Sequence, residues 1–215
     1  MTIEYFIDAC SSWAYLARET IYRLRIAFGD RADFTWRIAL IDRAEALGYT
    51  PETLDWYYRR SHAIAGEKLN AGWIVDRTTG SLEANLVVEA ARELGVSDDR
   101  AWLAIGAATM GAGQPIASFV GASDTIARAC GIDADRLVDL AQTAVIRDRV
   151  DASTKRFHEL CLPQRPAFIV RSAIDDEVRF SGLISYEPIA LAIETLLHDE
   201  SVYAAFAKAN GAGPA

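Results

Sequence analysis

Ile3-Glu4-Tyr5-Phe6-Ile7-Asp8-Ala9-Cys10-Ser11-Ser12-Trp13-Ala14-Tyr15-Leu16 is the stretch that decides the fold. Residues 3–8 are apolar or aromatic apart from Glu4 and Asp8, as expected for a central strand covered on both faces. A short polar turn follows, and then an amphipathic helix over residues 12–28. Trp13, Leu16, Ala17, Ile21, Leu24 and Phe28 share one stripe of it, and Gly29-Asp30 ends it in a left-handed cap. Helix N-termini carry unpaired N–H groups and the positive end of the dipole, so they favour anions such as a thiolate. A cysteine and two serines at that point suggest chemistry.

Asp33 to Leu40 alternates with period two and reads as a second strand with one buried face. Strand, helix and strand within forty residues make a parallel βαβ unit with a right-handed crossover. From Pro51 to Leu160 the pattern is helical throughout. Thr50-Pro51 opens a helix to about Asn70, Ser81 caps one ending at Gly95, and a third runs from Asp98 to Met110. Ser123 caps a short helix closed by Gly131, and two further helices cover 133–141 and 143–159. Gly111-Ala112-Gly113-Gln114-Pro115 lacks the lysine and the preceding strand of a phosphate cradle and reads as a loop. The strands return at 166–170 and 177–180 as a hairpin turning at Asp175-Asp176. Ser185 caps a closing helix, and the Gly- and Ala-rich end is expected to fray.

With 215 residues, 51% of them hydrophobic, the chain can bury a large core. A net charge of −8 without a basic block argues against nucleic acid and anionic membrane surfaces as partners. No apolar run approaches the length of a transmembrane helix. The first residues lack the basic and apolar regions of a signal peptide. Cys10, Cys130 and Cys161 form no disulfide framework, and no C-x-x-C occurs, so a reducing cytoplasm is the expected compartment. His62, His158 and His198 have no ligand spacing, so no metal is expected.

This order of elements is the layout of an α/β thioredoxin-like fold with a mixed central sheet and a large all-helical insertion. The expected parts are 1–48 and 161–203 for the two thioredoxin halves, 49–160 for the insertion and 204–215 for a flexible tail. The residues extend the likeness. Asp8-Ala9-Cys10-Ser11-Ser12-Trp13-Ala14-Tyr15-Leu16-Ala17 resembles the active-site turn of the DsbA superfamily. One branch of that superfamily carries D-x-x-C-P-W-C-Y there. The other, with kappa-class glutathione transferases and 2-hydroxychromene-2-carboxylate isomerases, carries S-P-Y/W-S-Y-L-A. Arg165-Pro166-Ala167-Phe168-Ile169-Val170 resembles the superfamily's V-P-T-F-V-V segment, whose proline is cis, and Phe180-Ser181-Gly182-Leu183-Ile184-Ser185-Tyr186-Glu187 resembles its I-S-G-A-Q-x-Y-E.

Aligned on Tyr15-Leu16-Ala17, the resemblance puts the nucleophile position on Ser11, the usual proline on Ser12, the variable aromatic on Trp13 and the resolving cysteine on Ala14. The standard dithiol cycle is therefore excluded. Ser11 at that position implies a hydroxyl that hydrogen-bonds a glutathione thiolate. The Asp-Arg pair that anchors glutathione in kappa-like members has no counterpart in Leu183-Ile184-Ser185-Tyr186. The resemblance implies a thiol- or glutathione-linked oxidoreductase-family enzyme, a glutathione-dependent isomerase or transferase, or an inactive fold that binds extended peptides. Glutathione is the implied cofactor, a small-molecule or thiol substrate the implied partner, and a homodimer the implied assembly.

The candidate catalytic residues are Ser11 and Cys10. Ser12, Trp13, Arg165, Pro166, Ser181 and Gly182 are the candidates for substrate or glutathione binding. Bland readings stand beside these. Ser11 and Ser12 suit helix capping. Cys10 suits either a packed thiol at a strand end or a displaced nucleophile near the dipole. Cys161 could approach Cys10 if Pro166 flanks the turn, Cys130 suits packing, and Arg165 suits either an anion contact or solvent. Trp56, Tyr57, Tyr58, Arg59 and Arg60 suit a cleft wall or an inward-packed helix, and Trp73 and Asn85 sit where the superfamily places cleft residues.

Overall fold

The computed structural model describes residues 1–41 and 46–211. β1 (Thr2–Ile7) leads through the turn at 8–11 into α1 (Ser12–Leu16) and α2 (Arg18–Phe28), and the chain returns as β2 (Asp33–Ile38). The helices α3 (Pro51–Ala65), α4 (Leu82–Ala90), α5 (Arg100–Gly106), α6 (Phe119–Cys130), α7 (Ala134–Ala141) and α8 (Ala144–Glu159) form the insertion. A 3-10 turn, Ala91–Leu94, extends α4, and a π turn, Ala107–Gly111, extends α5. The hairpin β3 (Ala167–Arg171) and β4 (Glu177–Ser181) then leads to α9 (Tyr186–Asn210).

The sheet order is β2-β1-β3-β4, with β1 parallel to β2 and antiparallel to β3, and with β3 antiparallel to β4. This is a thioredoxin-like α/β fold with a helical insertion. The alternation of β1 sorts its side chains. Ile3, Tyr5 and Ile7 join Trp36, Ile38, Phe168 and Val170 in the main core beneath α2 and α9. Phe6 faces the other way and packs with Ala39, Ala167, Ile169 and Phe157 of α8.

A polar clamp ties the sheet to the insertion. Tyr5 donates its hydroxyl to Asp99 Oδ1 and accepts from Arg25 at 2.9 Å, while Arg25 Nε donates to Asp99 Oδ2 at 2.7 Å and Trp102 Nε1 to Asp99 Oδ1 at 2.9 Å. Burial, with Asp99 second, raises the Tyr5 phenol well above its usual range, so it stays a donor. Trp36 Nε1 reaches the Ser97 carbonyl, and Arg92 stacks on the Trp36 ring while donating to its carbonyl.

Several expected boundaries move, each for a local reason. The helix expected over 12–28 breaks at Ala17, and Arg18 donates to the Tyr15 carbonyl near the break. Gly29 is right-handed at φ −64°, so no left-handed cap ends α2. Gly66, at φ +74°, stops α3 at Ala65, short of Asn70. Ser118 caps α6 through the Gly121 N–H, so that helix starts before Ser123, whose buried hydroxyl has no hydrogen-bond partner among the described residues. Neither Ser81 nor Ser185 caps its helix with its side chain. The last helix continues through Asn210, past the start of the expected tail, and residues 212–215 lie outside the described residues. No described helix is long and apolar enough to cross a membrane.

Asp99→Ala leaves Tyr5, Arg25 and Trp102 without their shared acceptor. Urea unfolding is expected to show a loss of about 2–4 kcal/mol. A loss under about 0.5 kcal/mol, the range of an ordinary surface substitution, would mean that the clamp does not hold the two parts together.

Candidate functional site

Three chain segments meet at one end of the sheet. β1 ends at Ile7, paired with Ile38 at the end of β2, and the Ala39 N–H donates to the Ile7 carbonyl. The Phe6–Ala167 pair starts β3 on the other side, so Pro166 enters beside Ile7. The turn at 8–11 and the loop before β3 are therefore neighbours.

Asp8 builds the turn. Its carboxylate is 1% exposed and is paired with donors rather than with a cation. Oδ1 accepts from the Cys10 N–H at 2.8 Å, and Oδ2 accepts from the Ile41 N–H and the Ser81 hydroxyl, both at 3.0 Å. The Asp8 carbonyl accepts from the Ser11 N–H at 2.9 Å. Asn85 of α4 accepts the Ala9 N–H at 2.9 Å and donates to the Ser81 carbonyl. One strand end, one loop and one insertion helix thus converge on a single buried anion, whose charge is balanced by hydrogen-bond donors. Sequence reasoning missed this role for Asp8, Ser81 and Asn85. The available signal was an aspartate at the end of an otherwise apolar strand.

Ser11 is the N-cap of α1, its Oγ accepting from the Ala14 N–H at 3.3 Å. The residue is 8% exposed, and its hydroxyl proton is donated to no described residue. Cys10 lies beneath it in the core at 4% exposure. Burial first, and the Asp8 charge second, push the Cys10 thiol well above its usual range. The sulfur lies in apolar surroundings and the Cys10 N–H is taken by Asp8, an environment that favours the packed-thiol reading over a displaced nucleophile. Beside it, Tyr58 accepts from Trp73 Nε1 at 2.9 Å, and burial raises that phenol too.

The Arg165–Pro166 bond is cis. Ser181 bonds both the Gln164 N–H and carbonyl, at 3.0 and 3.1 Å, and the Gly182 N–H donates to the Pro166 carbonyl at 2.8 Å. Gly182 has φ +71°, and a Cβ there would meet the Gln164 side chain. Ser181 and Gly182 therefore fasten the loop, where a ligand contact was expected. The Arg165 guanidinium covers the Phe157 ring and donates to the Ala39 and Leu40 carbonyls, so it is packed on the protein and not simply solvated.

Ser12 and Trp13 are half-buried. Arg60 lies over the Trp13 and Tyr57 rings, and Trp56 meets Tyr57 edge-on while remaining exposed. Of the run 56–60, only Tyr58 turns inward. Cys161, exposed and at φ +55°, follows the end of α8. It and Cys10 are free thiols, so the suggested approach does not produce a disulfide. Cys130 is half-buried at the end of α6. Among the described residues no cluster of His, Cys, Asp or Glu could hold a metal. A cavity of about 530 Å³ lies within the insertion, lined by Trp73, Leu82, Leu86, Phe119 and Arg147.

No family model matches the sequence, and no curated protein resembles it closely enough to match. Solved structures do resemble it. The cytosolic disulfide reductase DsbM from Pseudomonas aeruginosa superposes with a TM-score of 0.75 at 16% identity, over 92% of this chain and 99% of that one. DsbM with GSH gives 0.73 at 16% identity, over 92% and 100%. A 2-hydroxychromene-2-carboxylate isomerase gives 0.55 at 17% identity, over 98% of each chain. These likenesses show a shared thioredoxin-like fold with a helical insertion. At these identities the likeness concerns the fold, so the turn at 8–11 is read from this chain's own residues.

Asp8→Asn puts an amide nitrogen where only donors point. A loss of about 2–3 kcal/mol in chemical denaturation is expected. With Ellman's reagent on the native protein, Cys161 should react fast and Cys10 only on unfolding. Rapid labelling lost in Cys10→Ala would contradict the buried-thiol reading.

Proposed function

We propose that this DsbA-superfamily chain is a glutathione-linked enzyme of the isomerase or transferase kind, whose turn receives the ligand's thiol and supplies no thiol of its own. The observation that supports it best is the contrast at 10–11. The cysteine is buried with a raised pKa, whereas the serine at the superfamily's nucleophile position keeps a hydroxyl proton to donate. In this reading the Ala14 N–H holds Ser11 Oγ in place, and the hydroxyl donates to the ligand's sulfur. That bond stabilises the thiolate, and the thiol proton leaves to solvent. No electron transfer is assigned to the turn.

The loop before β3, fastened by Ser181 and Gly182, forms the second wall, and Trp13 with Arg60 forms the rim. The GSH-bound DsbM structure lends the ligand class as an analogy of fold. The cytoplasm is proposed as the compartment from the free thiols.

Isothermal calorimetry with reduced glutathione tests this. Binding is expected in the wild type, weakened at least tenfold in Ser11→Ala, as for loss of a bond to a charged group, and unchanged in Cys10→Ala. No heat up to millimolar glutathione would sink the proposal. Equal binding by Ser11→Ala would remove the hydroxyl's role.

A further inference from the structure

The second half of α9 is held at few points: among the described residues, Glu200 accepts the Ala173 N–H and lies near the N-terminal amine. Ile189, Ile193 and Leu196 face the core, but from residue 198 to 210 every position is exposed except the half-buried Glu200 and Ala207. A helix of this length is marginal in water unless a face of it is packed. Its outward side is patterned. Leu191, Thr195, His198, Val202, Ala205 and Ala209 follow one another at alternating steps of four and three, the seam spacing of a coiled coil. All six are exposed, Leu191 at 64% and Val202 at 54%, and Phe206 beside the seam is 62% exposed.

We propose that this seam is the surface on which a second copy of the chain docks, through an antiparallel pair of α9 helices centred near residue 200. In that register Leu191 meets the partner's Ala209, Thr195 the partner's Ala205 and His198 the partner's Val202, so the stripe is complementary to itself under a two-fold axis. The overlap runs on the order of 27 Å.

Charge chooses this orientation. Glu194 and Lys208 both occupy the flank before the seam, and neither has an ion pair with a described residue. Antiparallel packing brings flanks of the same kind together and places Glu194 against the partner's Lys208, twice by symmetry. A parallel pair would set Glu194 against the partner's Asp199, a like charge. Small residues at 205 and 209 let the helices approach, while Asp199 faces its own symmetry mate near the axis and limits the affinity. The surface is separate from the Ser11 turn, so the inference does not rest on the proposed chemistry.

Sedimentation equilibrium of the full chain from 1 to 100 μM tests it, with circular dichroism to confirm folding. A dimer is expected in the wild type. Val202→Glu should weaken it at least a hundredfold, and Lys208→Glu roughly tenfold. Glu194→Lys combined with Lys208→Glu should restore it, and Asp199→Asn should tighten it. A monomer at 100 μM overturns the proposal, as does a dimer indifferent to Val202→Glu, which would use another surface. A dimer broken by Val202→Glu yet blind to both charge reversals overturns the antiparallel register.

Discussion

One buried carboxylate organises the functional end of this molecule. Asp8 stands where β1 leaves the sheet, and a charge there is tolerable only because three donors from separate parts of the chain converge on it. The donors are the N–H of Cys10 in the turn, the N–H of Ile41 beyond β2, and the hydroxyl of Ser81 before α4. Strand end, crossover end and insertion are thereby held to one point. With Asn85 taking the Ala9 N–H, the backbone leading into Ser11 has little freedom left. Ser11 can cap α1 only if that path is kept.

The same anion decides which residue is chemically available. A thiolate at Cys10 would sit beside Asp8 in a dry core, so burial and like charge act together against it. The serine next to it pays no such penalty, because a hydroxyl works uncharged. In the proposed reading, a turn whose scaffold resembles that of thiol catalysts offers this hydroxyl as a donor to a ligand's sulfur.

Much of the fold was legible in the chain. The apolar run at 3–7, the alternation at 33–38 and the hairpin around Asp175 each carry a period that only one element satisfies, and the parallel and antiparallel pairings follow from the connections between them. Capping serines were less legible. Ser81, Ser118 and Ser123 look alike in sequence, yet one supports Asp8, one caps α6 and one is buried in mid-helix. A hydroxyl's role depends on which partner arrives from elsewhere. Arg165, Ser181 and Gly182 illustrate the same point: they cluster at the site as expected, but their polar groups hold the loop to itself and to the end of β2.

By itself the sequence determined the α/β layout, the helical insertion, the lack of a C-x-x-C pair and the position of Ser11 at the head of a helix, because these depend on local periodicity and residue identity. Tertiary structure alone decided that Cys10 is buried, that Asp8 is the hub and that the outer seam of α9 is exposed among the described residues. Those properties arise from long-range contacts, such as the reach of Ser81 and Asn85 back to the turn, and no spacing within one segment encodes them.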